Sequence, residues 1–250
     1  MPSRTPFRSK QLPGAWYSFF MDTLRSSPPW ALPVAILIAG IIVAGATYVV
    51  HVKQQVAKRS GDPAVVRPVT PEDHMVGNPE ARIKVVEYGD IESAPTKDFT
   101  AVMEQLMTEY GPTGEVAWVF RHFPIVALHK NAASHASAAE CVASLGAPDA
   151  FWRFLDAIAV NAPGTDQFNP KDYPLLLSGL GVSQEEFTAC LADGRFEERV
   201  QADYTNAILA GASGSPYIVV FVKGSAPVPI SGALPYASMK KILDGYLAQP

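Results

Sequence analysis

Between Arg25 and Lys53 the chain carries no Lys, Arg, Asp or Glu, and the segment WALPVAILIAGIIVAGATYVVHV from Trp30 to Val52 is apolar for most of its length. About 20 such residues in a helix cross the hydrocarbon core of a bilayer. Trp30 and Tyr48 suit the headgroup region, and Pro33 falls in the first turn, where a missing N–H costs least. The reading is one transmembrane helix over 30–52, behind a short cytoplasmic segment at 1–29. A cleaved signal peptide is the rival, but the apolar run exceeds a typical signal-peptide core and lies behind a long leader, so the helix is read as an uncleaved anchor.

Charge is divided unevenly about this segment. Residues 1–60 hold seven Lys/Arg against the single acid Asp22, and since the whole chain is at −4 the remainder sums to −10. An acidic body is a poor match for nucleic acid, whose binding rests on Lys and Arg neutralising phosphates. Four basic residues precede the helix and three follow it closely, so the positive-inside count barely favours a cytoplasmic N-terminus. The two cysteines, Cys141 and Cys190, would suit a single disulfide in an oxidising compartment. The C-terminal body is therefore expected on the extracytoplasmic side, periplasmic or cell-surface.

After the anchor, Pro63, Pro68 and Pro71 favour extended backbone, and residues 53–72 read as a stalk. IKVVEY (Ile83 to Tyr88) is a short β-rich run; Phe99, Val102, Met103, Leu106, Met107 and Tyr110 then repeat at helical spacing. EVAWVFRHFP gives a second strand ended by Pro124. Helical faces follow, carried by Phe151, Phe154, Leu155 and Ile158, by Phe187, Cys190 and Leu191, and by Val200, Tyr204, Ala207 and Ile208. SPYIVVFV (Ser215 to Val222) returns to β, and a closing helix carries Met239, Ile242, Leu243, Tyr246 and Leu247. The order is β-α-β, a helical block, then β-β-α: a small α/β unit over 73–250 with a helical insertion at about 125–210.

This order and several strings together resemble the DsbA-like branch of the thioredoxin superfamily. The strings are VGNPEARIKVVEYGDIESAPTKDF (Val76 to Phe99), VFRHFPIVALHKNAASHASAAECVASLG (Val119 to Gly146), FWRFLDAI (Phe151 to Ile158), FTACLADGRF (Phe187 to Phe196) and GASGSPYIVVF (Gly211 to Phe221). The fold class implied is an α/β thioredoxin-like fold with an inserted helical domain, preceded here by the transmembrane helix.

The resemblance implies a Cys-x-x-Cys site at the start of the helix after the first strand, where the helix N-terminus lowers a thiol's pKa. This chain has Ser93, Ala94, Pro95 and Thr96 there. A serine hydroxyl ionises far above physiological pH and forms no disulfide, so thiol exchange at these positions is excluded. Ser93 is instead expected to cap the helix, with Pro95 in its first turn; a serine nucleophile would need a base and an oxyanion hole. By the same resemblance Glu87 is the acid beneath the site, and Ser215 and Pro216 form the cis-proline loop, whose backbone pairs with extended substrate. That surface needs no cysteine, so Ser93, Ala94, Pro95, Thr96, Ser215 and Pro216 are the expected peptide- or protein-binding residues.

Cys141 and Cys190 both point into the helical insertion, and some DsbA-like relatives carry an extra, non-catalytic pair there. A structural disulfide is the expectation; two buried thiols and a redox-active pair are the alternatives. The histidines His51, His74, His122, His129 and His135 show no ligand spacing, so no metal is expected, and turn or cap bonding is read for His122 and His129. GASGSP (Gly211 to Pro216) leads from a helix into a strand, the reverse of a phosphate cradle, so no nucleotide and no other cofactor is expected. The functional expectation is a membrane-tethered binding protein holding an extended peptide or partner protein in envelope protein folding or assembly. The alternatives are a thiol-disulfide oxidoreductase, by family or through Cys141/Cys190, and a passive subunit of a membrane assembly.

Overall fold

The computed structural model describes residues 61–249 except 163, together with residue 28 and residues 33, 34, 36, 38–40 and 42–47. The chain divides into two compact units, Met1–Lys58 and Arg59–Pro250. In the first, the described residues between 33 and 47 are helical, and Val34, Ile36, Ile38, Ile42 and Val43 are exposed. Among the described residues no helix is long and apolar enough to cross a membrane; the other residues of the expected 30–52 span lie outside the described ones.

The second unit is built on a five-stranded sheet of order β1-β3-β2-β4-β5. Its strands are β1 (His74–Gly77), β2 (Ile83–Gly89), β3 (Val116–His122), β4 (Tyr217–Val222) and β5 (Val228–Ser231). β2 and β3 run parallel, joined by α1 (Ala94–Tyr110); the other neighbours are antiparallel. Between β3 and β4 run α2 (Ala132–Leu145), α3 (Ala150–Asn161), α4 (Tyr173–Leu180), α5 (Gln184–Ala192) and α6 (Glu197–Ala210). The chain's last helix is α7 (Tyr236–Leu247).

The period of two along the strands assigns the faces. Ile83, Val85, Trp118, Phe120, Ile218 and Val220 face the larger core with Phe99, Met103, Phe151 and Phe154; Val86, Tyr88, Val119, Tyr217 and Val219 face a smaller one with Ala207 and Ala210 of α6. Both faces of β2 are covered, which is why IKVVEY is mostly apolar on both faces, broken only by half-buried Lys84 and buried Glu87. Each large core side chain contributes roughly 1.5–3 kcal/mol through its burial.

Two elements differ from the sequence reading. β1 is an added edge strand, and residues 61–72, read as the outer half of a stalk, are packed onto the domain. Asp62 N–H bonds Leu209 O at 3.0 Å, and Arg67 N–H bonds the Asn206 side chain, whose amide returns to Val65 O. Buried Arg121 donates to Arg67 O and Pro68 O at 3.0 Å each and grips the Asp73 carboxylate with two N–H groups at 2.8 and 2.9 Å. Prolines favour extended chain whether it is free or held; these long-range partners make it a strap. Residues 53–60 lie outside the described ones.

Candidate functional site

β2 delivers the chain to the sheet's C-terminal edge through Gly89, where a side chain has no room: a Cβ would lie 2.4 Å from the Phe120 ring and 2.9 Å from the Thr96 methyl. Asp90 then organises the turn. Its carboxylate, 1% exposed, accepts Glu92 N–H at 2.9 Å and Ile125 N–H at 2.7 Å and lies 2.8 Å from His129 Nδ1. Ser93 N–H returns to Asp90 O at 3.0 Å, and the Ser93 carbonyl accepts Thr96 and Lys97 N–H at 3.1 Å, which starts α1.

Ser93 therefore occupies the N-cap position, with extended backbone, but its hydroxyl makes no cap bond, and Pro95 follows in the first turn as expected. The first free N–H of α1, on Ala94, is taken instead by Thr165 Oγ1 at 3.3 Å. Lys97 Nζ holds the same loop, donating to Ala162 O at 2.5 Å and Gly164 O at 2.8 Å. With Ala94, Thr96 and Lys97 N–H all engaged and Pro95 having none, the helix start offers no free donors for an oxyanion. His129 is committed to Asp90. A serine nucleophile thus lacks both of its partners among the described residues.

The Ser215–Pro216 bond is cis. Ser215 Oγ accepts Asp90 N–H at 2.7 Å and lies 2.7 Å from Thr96 Oγ1, so a pair of hydroxyls joins the proline loop to α1. No hydrogen bond to the Ser215 main-chain N–H or C=O is found among the described residues.

Glu87 lies fully buried beneath this edge. One oxygen accepts the Trp118 indole N–H at 3.0 Å and the other has no partner. Burial pushes its carboxyl up to about 8, against the lowering effect of the hydrogen bond from Trp118, so it is largely protonated at neutral pH.

Cys141 and Cys190 form a disulfide between α2 and α5, and each residue is 1% exposed. His51 lies outside the described residues; the described histidines, His122 and His129 included, face carboxylates rather than serving turns or caps. His122 Nε2 lies 3.0 Å and His74 Nε2 2.9 Å from the same oxygen of buried Glu140, a grouping that sequence spacing did not reveal. His135 Nδ1 meets Tyr173 OH at 2.7 Å, and its Nε2 lies 3.2 Å from Glu92 Oε1. Asp90, Lys97 and Thr165 are site-building residues that the sequence reading missed. An aspartate immediately after a strand and three residues before a helix cap was the available signal for the first.

The thioredoxin family profile matches residues 69–244. The chain belongs to the thioredoxin family. Its fold is DsbA-like: the structure of oxidised BdbD from Bacillus subtilis matches with a TM-score of 0.63 at 21% identity, covering 76% of this chain and 98% of that one. The thiol-disulfide exchange protein alpha-DsbA2 from Wolbachia pipientis matches with a TM-score of 0.57 at 19% identity, covering 68% and 85%. Among curated proteins, the Na(+)/H(+) antiporter NhaA 3 of Salinispora tropica is 33% identical over 158 residues, which is 63% of this chain and 22% of that protein. The chain spans about a quarter of the length of the curated relatives it matches.

Proposed function

We propose that this chain is a membrane-anchored, extracytoplasmic member of the family that binds an extended peptide or partner protein at the Ser215–Pro216 loop and performs no thiol exchange there. The observation that carries the reading is the pairing of an open Ser215 main chain with hydroxyls at both former thiol positions. Backbone hydrogen bonds to an extended partner need only free N–H and C=O groups. Thiol exchange needs sulfur. The buried pair Cys141–Cys190 lacks the exposure and electropositive setting of reactive cysteines, which favours binding over an oxidoreductase working through the helical block.

Membrane anchoring is supported by the uncharged run over 30–52 and by the exposed apolar side chains in its described helical part. The partner class is supported by the curated relatives: in proteins named as antiporters, a region similar to this chain belongs to the same polypeptide, so an integral membrane protein is the proposed partner. The test is titration of the isotope-labelled chain with a short, unfolded, cysteine-free peptide. Resonance shifts centred on Thr96 and Ser215, weakened by Pro216→Ala, are expected. Shifts confined to other surfaces, or affinity unchanged in that variant, would overturn the reading.

A further inference from the structure

The second chemical centre of the domain lies one strand across from the proline loop. His122 ends β3 level with Gly89 of β2, His74 opens β1, and Glu140 projects from α2. Their donor atoms, His74 Nε2, His122 Nε2 and a Glu140 oxygen, lie within 4.8 Å of one another. His122 is fully buried and Glu140 is 2% exposed, while His74 keeps a path to solvent with 15% of its side chain exposed. The rings are fixed by packing: His74 stacks on Phe151 at 3.5 Å and 7°, and Phe120 stands edge-on to His122 at 5.6 Å.

As a network of protons alone this arrangement is crowded. Glu140 Oε1 faces three nitrogen donors, His74 and His122 Nε2 and Arg199 Nε at 3.0 Å, although a carboxylate oxygen offers about two lone-pair sites. His122 Nδ1 is left buried without a partner. Two imidazole nitrogens and one carboxylate oxygen are, by contrast, a three-ligand set for a borderline-soft divalent cation, with water completing a tetrahedron.

We infer that His74, His122 and Glu140 form a binding site for a divalent cation of the zinc class, with Arg199 as the competing occupant of the carboxylate. Tetrahedral zinc with bonds near 2.0–2.1 Å sets neighbouring ligand atoms about 3.3 Å apart, and the two His–Glu distances are 2.9 and 3.0 Å. A bound ion would fasten β1, and with it the strap, to the helical block. Arg199, whose side chain is one-third exposed, would exchange its bonds to Glu140 and Glu72 O for water on turning toward solvent.

The experiment uses the full chain in mild detergent, disulfide intact and stripped by a chelator, titrated with zinc against a chromophoric competitor and melted with and without zinc. One equivalent is expected to bind and to raise the melting temperature. Glu140→Gln and the peripheral His74→Gln should each weaken binding by roughly tenfold or more, since losses of this size follow even from outer-shell changes. Arg199→Gln, which removes the competitor without touching a ligand, should bind zinc more tightly than the parent. Two outcomes would overturn the assignment: no stoichiometric zinc in either the parent or folded Arg199→Gln, or zinc retained at parental affinity by both ligand variants.

Discussion

The helix start at Ser93 and the bridge at Cys141–Cys190 divide between them what a thiol-disulfide site needs in one place. At Ser93 the chain has the setting: a helix N-terminus, a cis-proline loop and a buried acid below it, but oxygen in place of sulfur. In the helical block it has the sulfurs, but both are 1% exposed and sit in the apolar core with Phe187 and Val142. Reactivity depends on sulfur and setting together. One region therefore has the setting without the sulfur, and the other the sulfur without the setting.

Removing the fastening should have the largest effect. The bridge spans 49 positions, and chain-entropy reasoning gives about 4 kcal/mol for a loop of that size. The Cys141→Ala/Cys190→Ala protein should lose that much stability in urea unfolding, with a larger m-value because the unlinked unfolded chain exposes more surface. A variant as stable as the parent would break the comparison by leaving the sulfurs without a structural purpose.

The buried acid gives the next effect. Glu87 has a folded pKa of about 8 against an ordinary 4.5, so between these values the folded state holds a proton that the unfolded state has released. Stability from this group is therefore full below pH 4.5 and is lost as pH rises toward 8. Glu87→Gln removes that dependence, and its stability relative to the parent should improve by about 3 kcal/mol between pH 4 and pH 7. A difference that stays flat with pH would mean that Glu87 is ionised in the folded protein and that the acid beneath the site has changed character along with the thiols.

A smaller effect sharpens the account of the hydroxyl pair. Thr96→Val removes the 2.7 Å bond to Ser215 while Asp90 N–H still holds the Ser215 oxygen. A loss of about 1 kcal/mol is expected in thermal or denaturant unfolding. A loss near zero would mean that the proline loop is held by Asp90 alone.

Much of the fold was legible because its signals are local. IKVVEY, the helical spacing from Phe99 to Tyr110 and the closing helix each announce themselves within a few residues, and the family strings order them. β1 was not legible: HMVG is four residues long, half-exposed, and becomes a strand only by pairing with β3. The strap was misread because its prolines carry the same pattern free or docked, and what docks it are partners more than fifty positions away, Arg121 and Asn206 among them. The His74–His122–Glu140 group depends on strand register and on the packing of α2, neither of which spacing encodes. Ser93, Thr96 and the Ser215–Pro216 loop could be placed from sequence. The cover over Ala94 could not, because Thr165 reaches it from the loop between α3 and α4, 71 positions away.

The most direct test returns sulfur to the retained setting. In Ser93→Cys/Thr96→Cys, the helix N-terminus would lower the first thiol's pKa, and oxidation of an unfolded cysteine-containing peptide can be counted beside the parent chain. The account predicts no oxidation by the parent and, with the variant first oxidised to the disulfide between its two introduced cysteines, peptide oxidation well above that by a small cyclic disulfide whose reduced thiols have matched pKa, the variant's disulfide being reduced as the peptide's forms, because the proline loop docks the peptide. Oxidation no faster than by that small disulfide would contradict it, since no docking surface would then be present.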